Sequence, residues 1–180
     1  MPEHTTKNLL LTGPPACGKT TVVLHLVERL SDFRLAGFYT QELREGRSRV
    51  GFEAVGISSG LHAILAHARS KSRVRVGRYG VEPSALVPLV AAELGKSEGV
   101  NLFVIDEIGK MECMSAAFVD ATRSVLESGR PLVATIAQRG PEFIDEVKQR
   151  RDVELWTVTE QTRAALPARV AAWVRDAIRT

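Results

Sequence analysis

Lys19 and Thr20 end the run GPPACGKT, Gly13–Thr20, in which a glycine opens the stretch and a second one leads directly into a lysine and a hydroxyl. The run fits the spacing G-x-x-x-x-G-K-[ST], and each residue type in it has a use in holding a polyphosphate. Gly13 and Gly18 permit positive φ and close backbone approach to an anion. A helix beginning near Lys19 would aim its unpaired N–H groups and the positive end of its dipole at the phosphates. The Lys19 ammonium adds a full charge at the β- and γ-phosphates, and the Thr20 hydroxyl is an oxygen ligand for Mg2+. Pro14 and Pro15 have no N–H to give, so the donors should come from Ala16, Cys17, Gly18, Lys19 and Thr20, while the prolines stiffen the loop. Cys17 lies beside a helix N-terminus, which favours a thiolate, although its simpler role is a small filler. Oxidation there should block nucleotide binding.

The second stretch with chemistry in it is NLFVIDEIGKMECMS, residues 101–115. Four apolar residues, Leu102–Ile105, lead into Asp106 and Glu107. A buried parallel strand delivers its last residues to the carboxyl edge of a sheet, where ligands bind. Asp106 is placed to hold Mg2+, directly or through water. Glu107 is placed to orient and deprotonate a water facing the γ-phosphate, which points to hydrolysis. Thr135, at the end of PLVATIAQ, is a candidate polar tip toward the γ-phosphate, and Lys110 a candidate for neutralising charge on the phosphate oxygens. Arg78 and Arg139 are candidate charge-stabilising arginines, and nothing in the sequence chooses between them.

The elements that must position these residues follow from pattern. Lys7–Thr12 reads as a buried strand and Lys19–Leu30 as a helix with Val23, Leu24, Val27 and Leu30 on one face. LAGFYTQEL and RVGFEAVGI read as two strands joined by a turn around Gly46. Leu61, Ile64, Leu65 and Ala68 have helical spacing, and RVRVGRY reads as a strand. From Pro83 on, helices 83–95, 115–126 and 141–150 alternate with strands 102–106, 132–136 and 153–158. A last helix carries Leu166, Val170, Trp173, Val174 and Ala177 on one face. Strands alternating with helices imply parallel pairing with helical crossovers. The expected fold is one three-layer α/β domain over residues 1–180, with a mostly parallel sheet and one antiparallel hairpin insertion.

Composition limits the alternatives. The chain has 180 residues, 44% hydrophobic and 25% charged, which suits one soluble domain. It has no run approaching a membrane span and no leader-like N-terminus, so a cytoplasmic protein without a membrane partner is expected. Two cysteines, Cys17 and Cys113, and four scattered histidines offer neither a disulfide framework nor a zinc site. Net charge is +3, but residues 34–80 hold nine Lys/Arg against three acids, a net +6 that leaves −3 for the rest. Without aromatic residues among the charges, a solvated face is favoured over a nucleic-acid surface.

Together, LLLTGPPACGKTT, LAGFYTQELREGRSRVGFEAV, RVGRYGV, LFVIDEIGKMECMS, VATI and VELWTVTEQTR resemble, in order and over nearly the whole chain, the THEP1-like nucleoside-triphosphatase family. The resemblance implies a RecA-like P-loop core and Mg2+-dependent hydrolysis of ATP, GTP and other nucleoside triphosphates to the diphosphate and phosphate. It implies two nucleotide-binding stretches. One is Gly13–Thr20 with the adjoining Thr21, and the other is Leu102, Phe103, Val104, Ile105, Asp106, Glu107, Ile108 and Gly109. It strengthens Lys110, which lies inside GKME, and it implies a small stand-alone enzyme, a monomer. Gln138 and Arg139, and the segment 60–73, depart from the pattern, which leaves the base preference open. Two rival readings remain: a nucleotide or nucleoside kinase, with Arg69–Arg78 as a lid, and an RNA-linked nucleotide-binding module using residues 34–80.

Overall fold

The computed structural model describes residues 6–96 and 98–179. Among these residues nine strands form one sheet. Its parallel half comprises β1 (Asn8–Thr12), β7 (Leu102–Ile108), β8 (Leu132–Ile136), β9 (Val153–Thr157) and the first residues of β2 (Leu35–Glu45). β1 and β8 are buried at every position, as strands covered on both faces must be. On one face α1 (Lys19–Arg29) and α5 (Leu166–Arg179) pack over Leu9, Leu11, Leu102, Val104 and Val133. On the other, α2 (Leu86–Leu94), α3 (Ala116–Glu127) and α4 (Glu142–Lys148) pack over Leu10, Phe103, Ile105, Leu132 and Ala134. The alternating residues of each strand thus serve opposite cores. α1 buries Val22, Val23, Leu26 and Leu30, so its inner face is rotated from the expected one: Leu24 and Val27 lie at its margin.

The other half of the sheet is antiparallel. β2 pairs with β3 (Ser48–Gly56), β3 with β4 (His62–His67), β4 with β6 (Tyr79–Val81) and β6 with β5 (Arg75–Val76), giving the order β5-β6-β4-β3-β2-β7-β8-β1-β9. The sheet is therefore mixed, and its antiparallel part is a wing larger than the single hairpin expected. The segment 61–68, with its helical spacing, is a strand. Ala63 and Leu65 point into the core while Ile64, half exposed, faces out, and pairing with β3 overrides the apparent period. RVRVGRY is not one strand but the start of a tight hairpin, turning at Gly77 with φ 56°.

The two halves meet at β2. Its residues Leu35–Phe38 pair with β7, and the rest of the strand runs on past the carboxyl edge of the parallel sheet. The hairpin tip therefore stands on the side of the sheet where the loop after β1 lies. Gly37 makes the junction possible: at φ 124°, an added Cβ would sit 1.8 Å from the Val104 carbonyl oxygen. Its N–H donates to the buried Glu93 carboxylate at 2.9 Å. Backbone overlap cannot be relieved by a rotamer, so Gly37→Ala should cost about 3 kcal/mol or more, measured by urea denaturation. A loss under about 1 kcal/mol would show that the junction is not tight.

Candidate active site

β1 ends at Thr12, and the chain turns through Gly13–Gly18 into α1. The turn is close-packed. A Cβ on Gly13 would lie 2.6 Å from the Val158 carbonyl oxygen and 2.8 Å from Cys17 Sγ. Ala16 has φ 60° and Gly18, the N-cap of α1, has φ 105°, so the backbone curls around a concave space. The helix has no side-chain cap and no acid in its first turn, which leaves its positive end uncompensated. The Lys19 ammonium bends back over the loop and donates to the carbonyls of Gly13 and Pro14 at 3.0 and 3.1 Å. Cys17 is buried as a filler, and its N–H donates to the Pro14 carbonyl at 3.3 Å, so in this conformation it closes the turn instead of facing outward.

Across the loop stand the two acids of β7. The β7–β8 ladder is irregular between Ile105 and Ile108, with one extra residue on β7, so Asp106 and Glu107 lie in a bulge. Bulges re-aim side chains near functional sites. Asp106 is fully buried; it accepts from the Thr135 hydroxyl at 2.7 Å and the Thr40 hydroxyl at 3.1 Å. Glu107 instead lines a cleft of about 870 Å³, together with Gly13, Lys19, Thr20 and Thr21 of the loop and helix. Burial raises the Glu107 carboxyl above the ordinary range and Asp106 adds to the effect, while Lys19 pulls it down.

The remaining expected residues fall in different places. Leu102, Phe103, Val104, Ile105 and Ile108 are fully buried and act by positioning the acids. Gly109 packs against them: a Cβ there would meet Glu112 Oε2 at 2.7 Å and Glu107 Oε1 at 2.9 Å. Thr135 is buried beneath the cleft with its hydroxyl engaged by Asp106, so it holds the acid and does not line the cleft. Lys110 is exposed and does not line it either. Of the two candidate arginines, Arg139 lines the cleft and Arg78 does not.

Sequence reasoning missed Thr40, Glu112, Arg49, Phe52 and Arg163. Arg49 and Phe52 line the cleft from β3, and the Arg163 side chain lies within 3.1 Å of where a Gly18 Cβ would be. Glu112, five residues past Glu107, could have been noticed as a third acid; the others depend on strand pairing. Burial pushes the Glu112 carboxyl up to about 8, with Glu107 and Asp106 adding to the shift.

This geometry, a glycine loop feeding a helix N-terminus and facing strand-borne acids across a cleft, defines a P-loop nucleotide-binding protein. Residues 8–171 match the family described as NTPase. The chain is 39% identical over 175 residues to the nucleoside-triphosphatase THEP1 of Natranaerobius thermophilus, covering 96% of this chain and 98% of the relative. The crystal structure of THEP1 from the hyperthermophile Aquifex aeolicus superposes with a TM-score of 0.80 at 30% identity, covering 93% of this chain and 98% of that one. The solution structure of a human cancer-related nucleoside triphosphatase gives 0.78 at 32% identity, covering 94% and 98%. The chain belongs to this family of nucleoside-triphosphatases.

The Glu112 shift fixes a pH dependence. Between the ordinary 4.5 and about 8 the unfolded chain has released this proton while the folded chain keeps it, so this group lowers stability as pH rises through that window. Glu112→Gln removes the effect. Its melting temperature relative to the parent should climb from pH 5 to pH 8 and level off above. A difference independent of pH would contradict the burial of an ionisable group here.

Proposed function

We propose that the cleft binds a Mg2+-nucleoside triphosphate and hydrolyses its γ-phosphate with Glu107 as general base. The observation that carries this reading is the placement of Glu107 and Lys19 on one cleft. The chain's own groups divide the work. The α1 N-terminus and the loop N–H groups bind the phosphates, and Lys19 exchanges the Gly13 and Pro14 carbonyls for phosphate oxygens. Glu107 orients a water and takes its proton as the water oxygen bonds to the γ-phosphorus. The bond to the bridging oxygen breaks, and its electron pair leaves with the nucleoside diphosphate. A carboxyl raised by burial is a better proton acceptor than an ordinary glutamate, which suits this role.

The donor set fits Mg2+. The Thr20 hydroxyl, which lines the cleft, is a hard oxygen ligand, while the Asp106 carboxylate, buried behind the cleft, would act on the ion through water; a magnesium ion in such sites is held by one or two protein groups together with phosphates and waters. When bound, the ion supplies charge neutralisation at the β- and γ-oxygens. Thr40 and Thr135 hold Asp106 from either side as outer-shell partners.

The proposal predicts that Lys19→Ala abolishes tight nucleotide binding. Glu107→Gln should keep binding and slow phosphate release at least about a hundredfold. Thr135→Val should weaken Mg2+-dependent nucleotide affinity about 10- to 100-fold. Equilibrium binding of a non-hydrolysable triphosphate analogue, with and without Mg2+, measures the affinities, and phosphate release from ATP, GTP and other triphosphates measures the turnover. Near-normal turnover in Glu107→Gln removes Glu107 from the mechanism, and turnover that needs an added acceptor makes the protein a kinase.

A further inference from the structure

We propose that Arg49 is an arginine finger supplied in cis, donating to the γ-phosphoryl oxygens as charge builds on them; this rests on the hydrolytic reading above. The position comes from a local irregularity in the antiparallel wing. On the β2–β3 ladder Leu43 faces Gly51, and the next pair is Arg44 with Arg49, so Val50 is an extra, unpaired residue. In a regular strand Arg49 and Phe52, three apart, would face opposite sides of the sheet. The bulge at Val50 brings them to the same side, and both line the cleft that holds Lys19 and Glu107. The Arg49 guanidinium lies over the Phe52 ring, 4.9 Å from its centroid.

Arg49 is held as a catalytic cation must be. Its Nε donates to the Tyr79 hydroxyl at 3.1 Å and its Nη1 to Glu42 Oε1 at 2.9 Å, and the Tyr79 ring packs edge-on against Phe52 at 5.2 Å. Glu42 is shared with Arg44, so one acid faces two guanidinium groups and the cluster keeps a net positive charge. Arg78 donates to the Arg49 carbonyl and lies over the Tyr79 ring, which makes it a support for the cluster. Arg139 also lines the cleft, but among the described residues no hydrogen bond, ion pair or ring contact orients its side chain. Preorganised donors are the ones that lower a barrier, because they need no reorientation as charge develops.

The topology sets which end of the nucleotide Arg49 meets. In the sheet order, β3 lies beyond β2 and β7, on the side of the acids, while β9 and the segment after it lie on the far side of β1. The γ-phosphate must face the acids, because the attacking water is there. Arg49 therefore addresses the γ end, and Arg163, beside Gly18 on the β9 side, stands toward the nucleoside end. The balance of the step is unchanged: water bonds to the γ-phosphorus, Glu107 takes the proton, and the bridging bond breaks with its electron pair on the diphosphate. Arg49 supplies hydrogen bonds and charge to the equatorial oxygens and is not consumed.

The test compares Arg49→Ala and Arg49→Lys with the parent protein in three measurements: phosphate release, affinity for a non-hydrolysable triphosphate analogue, and capture of the diphosphate with aluminium fluoride as a transition-state mimic. A finger predicts a fall in kcat of about a thousandfold or more in both variants, since lysine cannot reproduce the planar fork. It predicts analogue affinity within about threefold of the parent. It also predicts that the aluminium fluoride complex is lost in the variants and forms in the parent. Arg49→Lys keeps the aliphatic stem against Phe52, so matching melting temperatures for that variant and the parent separate a catalytic loss from a folding loss. Turnover within tenfold of the parent overturns the finger and leaves the hydrolytic reading standing. A change confined to analogue affinity overturns it as well, making Arg49 a binding group. A parent protein that releases no phosphate overturns both readings together.

Discussion

A carboxylate with no exposure to solvent has to be satisfied by the protein, and Asp106 is such a group. Its two oxygens accept from Thr135 on β8 and Thr40 on β2, the strands on either side of β7. One side chain thus ties three strands together at the edge of the sheet where the loop after β1 opens. The β7 bulge keeps that acid buried and lets its neighbour, Glu107, emerge into the cleft. The chemistry on offer at the cleft depends on this division: one acid fixed within the sheet, the other raised by burial and facing Lys19.

The opposite wall is built by a different device. An uncapped helix N-terminus, two positive-φ residues and a lysine folded onto its own loop carbonyls concentrate positive potential in one concave turn. The two walls come from separate strands, β1 and β7, with β8 between them. The spacing of strands within the sheet therefore separates the two walls. The antiparallel wing closes the third side, because β2 continues past the end of the parallel sheet and β3 returns beside it with Arg49 and Phe52.

Much of this was legible in the sequence, for reasons that differ along the chain. The loop at Gly13 is a contiguous motif whose chemistry is local, so Gly13–Thr20 and the start of the helix after it are readable from the sequence, whereas the helix's buried face depends on its packing and came out rotated. Buried parallel strands announce themselves as short apolar runs, and Leu132–Ile136 falls where its pattern places it. The segment at 61–68 misled because Ile64, half exposed, stands where a helical face would need a core residue. The strand that carries Thr135 is readable from its apolar run, but its hydroxyl's engagement with Asp106 depends on the pairing of β7 with β8. Arg49 and Phe52 carried no signal, since only a bulge at Val50 turns both toward the cleft. Arg163 reaches Gly18 through the folding of distant segments, which no local pattern records.

The most direct test of the account is a crystal structure of the protein with a non-hydrolysable triphosphate analogue and Mg2+. The phosphate tail is expected over the N-terminus of α1, with the Lys19 ammonium moved from the Gly13 and Pro14 carbonyls to phosphate oxygens, the Thr20 hydroxyl on the metal, and an ordered water between Glu107 and the γ-phosphorus. A nucleotide bound away from the loop, or a γ-phosphate turned away from Glu107, would contradict it.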